Sequence, residues 1–201
     1  MKNQLVITSS SLPEKDQVFE MILRLDQPFQ SLAWLMLETG AKLSELQDLR
    51  VRDLQLDRGQ LQRHGRAWPL SDGLQEALAD YLRLILRPAF EQLKRKSGQQ
   101  MFSATRLFPA WLLDGQESAP LDAFVSTADF VSALQSAASA SGYSGRVHSN
   151  TLRLVTARSW LEQGMAIPAL HETLGHRDLM TTLLLVQTLQ QGGLSFLAAG
   201  R

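Results

Sequence analysis

The chain has 201 residues, a formal net charge of zero from 20 basic and 20 acidic side chains, and no cysteine. With 44% hydrophobic and 20% charged residues, it has the make-up of one globular domain with a sizeable core, which excludes a disordered chain. The lack of cysteine excludes a disulfide framework, an iron–sulfur cluster and a thiolate zinc site, and no apolar run approaches the roughly 20 residues that span a bilayer. The expectation is a cytoplasmic protein with no cofactor, no metal and no membrane contact. A pI near 6.9 also sets it apart from dedicated nucleic-acid binders, which are usually strongly basic.

Taken in chain order, the pattern is mainly helical with one small strand region, a mainly α fold with a small antiparallel β-sheet. Only the short run Leu5-Val6-Ile7 precedes the first charged helix. Apolar spacing predicts helices over 13–26 and 28–38, the second ending at Gly40 as a C-cap glycine dictates. Ser44, three residues before Gln47, has capping-box spacing for a short helix over 45–49. Val51, Leu54, Leu56 and Leu61 flank the turn Asp57-Arg58-Gly59, and His64-Gly65 turns the chain again before Trp68. Residues 51–70 therefore read as a small antiparallel meander. From Ser71 helical spacing returns through Leu74, Leu78, Tyr81, Leu82, Ile85 and Leu86, with Pro88 kinking or dividing the helix. Residues 97–121 read as a long loop around an apolar island, Leu107-Phe108-Pro109-Ala110-Trp111. Four helices follow over 127–140, 150–163, 168–174 and 179–190, stopped by Gly142, Gly164, Gly175 and Gly192, with Asn150 or Ser149 as N-cap of the second. Charge is uneven: residues 50–66 hold five arginines against Asp53 and Asp57, residues 146–158 are basic without an acid, and residues 111–145 are purely acidic.

Three segments resemble the catalytic domain of tyrosine recombinases, the phage-integrase family. Thr39-Gly40-Ala41-Lys42-Leu43-Ser44-Glu45, with Leu49 and Asp53, matches T-G-x-R-x-S-E-x-x-x-L-x-x-x-D. Asn150-Thr151-Leu152-Arg153-Leu154 matches H-x-L-R-H at a helix start, and Leu174-Gly175-His176 with Thr181-Thr182 matches L-G-H-x-x-x-x-T-T. Order and separation agree over roughly residues 25–190. Leu107-Phe108-Pro109-Ala110 and Gly192-Gly193 are similar to the integron-integrase branch.

The resemblance implies a reaction in which a tyrosine oxygen attacks a DNA phosphodiester, assisted by two arginines, a histidine, a hairpin lysine and a further His or Trp. This chain keeps only part of that set. The nucleophile falls at position 185, which is Leu185; the tyrosines of the chain are Tyr81, on an apolar helix face, and Tyr143, in a loop. Lys42 stands at the first arginine position, with charge but no bidentate fork, or serves only as an exposed cap residue. Arg153 keeps the second arginine, as a phosphate ligand or as a buried ion pair. Asn150 replaces a histidine, and His176 is retained, to donate to a phosphate or to tie a loop to backbone. Arg63 and Arg66 supply charge where the hairpin lysine belongs, but an arginine is a poor proton donor.

The expectation is thus one tyrosine-recombinase-like domain over 1–201, without the helical domain that precedes it in the family. It would be inactive in strand cleavage and bind DNA weakly and salt-sensitively through Lys42, Arg63, Arg66, Arg153 and His176. The other expectation is a protein–protein module, joining itself or an active recombinase through the apolar helix over 179–190. Leu185 belongs either to the core or to that contact.

Overall fold

The computed structural model describes residues 12–190 apart from 64, 98–100, 114–118 and 121. The Leu5-Val6-Ile7 run, His64 of the second turn, Gly192-Gly193 and parts of the 97–121 loop lie outside the described residues.

Helix α1 (Lys15–Leu23) and helix α2 (Phe29–Thr39) come first. Leu32, Ala33, Leu35, Met36 and Leu37 are all buried, so most of α2 is apolar and must be enclosed by other helices, while Gln30, Trp34 and Glu38 form one half-buried stripe. It packs against α1, α4 (Asp72–Asp80) and α7 (Ser149–Glu162). Helix α3 (Leu43–Leu46) departs from the capping expected at Ser44: Lys42 is its N-cap, and the Glu45 carboxylate accepts the Lys42 backbone N–H at 2.7 Å. The carboxylate reaches back one turn to an otherwise orphaned donor, which places Ser44 already inside the helix.

The meander is a three-stranded antiparallel sheet in the order β1 (Leu54–Gln55), β2 (Gln60–Arg63), β3 (Arg66–Pro69). Its register pairs Leu54 with Leu61 and Leu61 with Trp68 on the covered face, and Arg63 with Arg66 at the second turn. After α4, the helical run continues through Pro88. A π turn over Tyr81–Leu86 carries the chain into α5 (Arg87–Ser97), with Arg87 donating its N–H to the Leu82 carbonyl. The wider register accommodates a residue that has no N–H to give.

The 97–121 segment is more anchored than a bare loop. Leu107 and Phe108 are fully buried, and backbone bonds tie Leu107 to Leu49 and Val125 to Phe108. Arg106 donates to the Gln47 and Asp122 carbonyl oxygens and pairs with Asp48. Helices α6 (Thr127–Ala140), α7, α8 (Ile167–Leu174) and α9 (Leu179–Gln190) complete the fold. One large apolar cluster runs from Val18 to Val155, and a second gathers Leu154, Ala157, Leu170, Leu174, Leu185 and Val186 where α7, α8 and α9 meet.

Candidate functional site

The three motifs all lie at element ends, and those ends meet. Gly40 terminates α2 in the left-handed conformation at φ 60°, and a Cβ there would stand 2.9 Å from the Trp160 ring. Glycine is required on both counts. The chain then extends through Lys42, whose exposed side chain borders an open cleft of about 270 Å³ shared with Ser44, Gln47, Ser149, Asn150 and Arg153. Asn150 therefore faces the cleft and caps nothing. The N-cap of α7 is His148, whose backbone N–H donates to Thr151 Oγ1 at 3.0 Å. That bond sets the cap one residue ahead of Ser149 and two ahead of Asn150, the caps read from the sequence. A larger depression of about 730 Å³ between the α1–α2 connection and α6, lined by Arg24, Gln27, Phe29, Leu112 and Ala137, contains no motif residue.

Arg153, one turn into α7, is only 4% exposed. Its Nη1 donates to the Gly40 carbonyl and its Nη2 to the Leu174 carbonyl, each at 2.6 Å. One guanidinium thus closes the carbonyl ends of both α2 and α8, where the helix dipoles are negative. Arg66 works alongside it: Nη2 donates to the Thr173 carbonyl at 2.8 Å, Nη1 pairs with Glu45 Oε1 at 2.8 Å, and the guanidinium lies 4.7 Å above the Trp68 ring. Glu45 Oε2 also lies 3.9 Å from Arg153. Burial draws the Arg153 guanidinium below its ordinary range, Glu45 opposes that, and Arg66 adds to it.

His176 follows Gly175, which ends α8 at φ 62°. Its Nδ1 lies 2.9 Å from the fully buried Thr182 Oγ1, so the imidazole is tied to a side-chain hydroxyl. Burial is the main cause that lowers its pKa to about 4, with Arg153, Lys42 and His171 pushing the same way and Asp178 opposing. The imidazole is neutral at pH 7. Asp178 precedes α9 and accepts the Thr181 N–H at 2.9 Å; that bond and the Thr181 hydroxyl hold its carboxyl below the usual range.

The structure therefore brings Lys42, Asn150 and Arg153 to one cleft, with His176 and Arg66 adjoining it through the end of α8. Arg63 is not among them. Its Nη1 pairs with Asp53 at 2.7 Å, beside a separate shallow depression formed with Arg52, Gln55 and Gln62. Leu185 is 6% exposed within the second apolar cluster. Tyr81 is buried and donates its hydroxyl to the Leu107 carbonyl at 2.8 Å, and burial raises its pKa well above the ordinary phenol value. Tyr143 packs against the main core. Three participants were not singled out from the sequence: Glu45, His171 and Thr182. Only Glu45 and Thr182 carried a signal, since both fall on motif positions.

The cluster sets Arg66 and Arg153 around the Glu45 carboxylate, with exposed Lys42 at the cleft and a neutral imidazole beside Asp178, an excess of cations suited to an anion such as a phosphodiester. The phage integrase family model matches residues 14–188, and the chain belongs to this family. Its fold and motifs are those of a tyrosine-recombinase, integrase-like domain. Tyrosine recombinase XerC from Lactobacillus delbrueckii subsp. bulgaricus is 26% identical over 185 residues, covering 85% of this chain and 57% of the relative. XerC from Lactobacillus leichmannii is also 26% identical over the same shares. The chain thus spans little more than half the length of the curated relatives it matches. Among solved structures, XerA recombinase is similar with a TM-score of 0.65 at 20% identity, covering 92% of this chain and 64% of that one. XerH recombinase bound to a palindromic difH substrate gives a TM-score of 0.64 at 17% identity, over 92% and 51% of the two chains. The Tn1549 transposon integrase in complex with circular intermediate DNA gives 0.63 at 16%, over 92% and 63%. At these identities the structural likeness carries the fold.

Proposed function

We propose that this chain is a tyrosine-recombinase domain that no longer cleaves DNA and retains a weak, salt-sensitive phosphate-binding cleft. The observation that carries this reading is Leu185. At the position where the family resemblance calls for the nucleophile stands a hydrocarbon side chain, packed inward among leucines. It has no lone pair to attack phosphorus. Tyr81 is an unsuitable substitute, because its hydroxyl is buried and committed to a carbonyl.

Lys42, Arg153 and His176 then act as remnants that attract and orient a phosphate without reaction. Arg153 aids chiefly by fixing the ends of α2 and α8 and by its charge at the cleft wall. Arg66 adds charge but a guanidinium is a poor proton donor, so the leaving-group acid is lost as well. On this reading the chain is a degenerate copy from a mobile element or integron, working beside cytoplasmic DNA. Incubation with nicked suicide duplexes and denaturing electrophoresis tests it. The expected result is no covalent protein–DNA adduct, and an adduct that persists in boiling detergent and disappears on Tyr143→Phe overturns it.

A second reading has its own support in α9. Leu179, Met180, Leu183 and Leu184 are 46%, 61%, 40% and 56% exposed, a run of apolar side chains on one helix. This face suits docking to another copy or to an active recombinase, with DNA contact minor. Sedimentation of wild type against Leu184→Glu distinguishes the readings: a mass that falls with the substitution favours docking.

A further inference from the structure

We propose that His171 is a positioning residue that acts through the Thr182 hydroxyl to hold His176 as its Nε2–H tautomer. This rests on the reading that the cleft receives an anion. His171 Nδ1 lies 3.0 Å and His176 Nδ1 2.9 Å from the same atom, Thr182 Oγ1. Thr182 is fully buried, and among the described residues its hydroxyl has no hydrogen-bond partner besides these two nitrogens. A buried hydroxyl proton is placed on an acceptor, since leaving it unmade is costly. A hydroxyl has one proton, so one imidazole accepts it at Nδ1 and the other donates its own Nδ1–H to the oxygen. The two tautomers are therefore coupled.

The direction follows from where each ring sits. His171 is in the last turn of α8, where the carbonyl end of the helix favours positive or donating groups. His171 is thus the donor, Thr182 passes its proton toward His176 Nδ1, and the single proton of His176 resides on Nε2. The charged and titratable groups around His176 are Arg153 from α7, Lys42 before α3, His171 from α8 and Asp178 at the start of α9. His171 and His176 both act on Asp178. With two cations nearby, a neutral His176 donates to an anion only if its proton lies on Nε2. The alternative tautomer presents a lone pair, which an anion rejects.

Long-range proton–nitrogen NMR of the whole chain reads the tautomer of each histidine directly. In the wild type His176 Nδ1 is expected to have the pyridine-type shift. Thr182→Val and, separately, the partly exposed His171→Phe are expected to move His176 to mixed or Nδ1–H character, while Thr182→Ser retains the wild-type pattern. A His176 signal unchanged by both Thr182→Val and His171→Phe overturns the proposal. The affinity of a labelled short DNA duplex is measured on the same variants. A loss of roughly two- to tenfold in Thr182→Val, restored in Thr182→Ser, is the size one hydrogen bond commands. If the tautomer shifts and duplex affinity does not, the relay stands and the reading of the cleft as a DNA phosphate site falls.

Discussion

Arg153 illustrates how one side chain can hold two helix ends together at the wall of a cleft. Its two terminal nitrogens satisfy carbonyls at the ends of α2 and α8, so Arg153→Ala leaves two buried acceptors unpaired. The expected loss is about 3 kcal/mol, each unsatisfied group costing roughly 1–3 kcal/mol, measured by urea denaturation. DNA binding by that variant would then report unfolding as much as affinity. Lys42, exposed at the cleft, is the cleaner probe, and Lys42→Ala is expected to weaken duplex binding with an unchanged urea midpoint. His176 gives a pH signature. Its pKa of about 4 lies below the ordinary 6.5, so the unfolded chain binds more protons between those values. Its contribution to stability is fully present above pH 6.5 and is lost as pH falls toward 4. The stability difference between wild type and His176→Asn should accordingly shrink across that window, and a difference flat in pH would contradict the assignment.

At the scale of elements, α9 has two characters. Leu185 and Val186 close the second apolar cluster against α7 and α8, while Leu179, Met180, Leu183 and Leu184 face outward. Leu185→Ala is expected to cost about 2–5 kcal/mol, the range for truncating a buried leucine, seen as a lower thermal midpoint. The exposed leucines would show little change on truncation. The α8–α9 junction depends on Gly175, where a Cβ would stand 2.8 Å from Arg66 Nη1 in a left-handed conformation. Arg66 is held there by Glu45 and Thr173. Gly175→Ala is expected to destabilise by more than about 1 kcal/mol and to loosen the hairpin arginine, which the rate of amide exchange at Thr173 and Leu174 would register.

For the molecule as a whole, zero net charge and a local cationic cluster coexist. On the proposed reading, long-range attraction to DNA is modest and contact at the cleft relies on the few charges gathered there. With on the order of two or three phosphates neutralised, the log–log salt slope of duplex affinity is expected near −2 to −3. Lys42→Ala should reduce that slope by about one. Titration at several salt concentrations checks both values, and a flat salt response would favour the docking reading instead.

Much of this was readable in the chain itself. The apolar run of α2, the glycine stops and the alternation around Leu54 and Leu61 determined helices and hairpin, because these patterns are local consequences of period and backbone freedom. The three motifs marked the family, and through that resemblance Leu185, Lys42 and Asn150 were read as departures from its usual residues. What neither period nor motif contains is which donor meets which acceptor across tens of residues. Only the tertiary structure bound Arg153 to the ends of two helices, turned Leu185 inward, drew Arg63 away to Asp53 and set His171 and His176 on one buried hydroxyl. Those pairings are decided by packing and by the need to satisfy every buried polar group, which sequence neighbours alone do not specify.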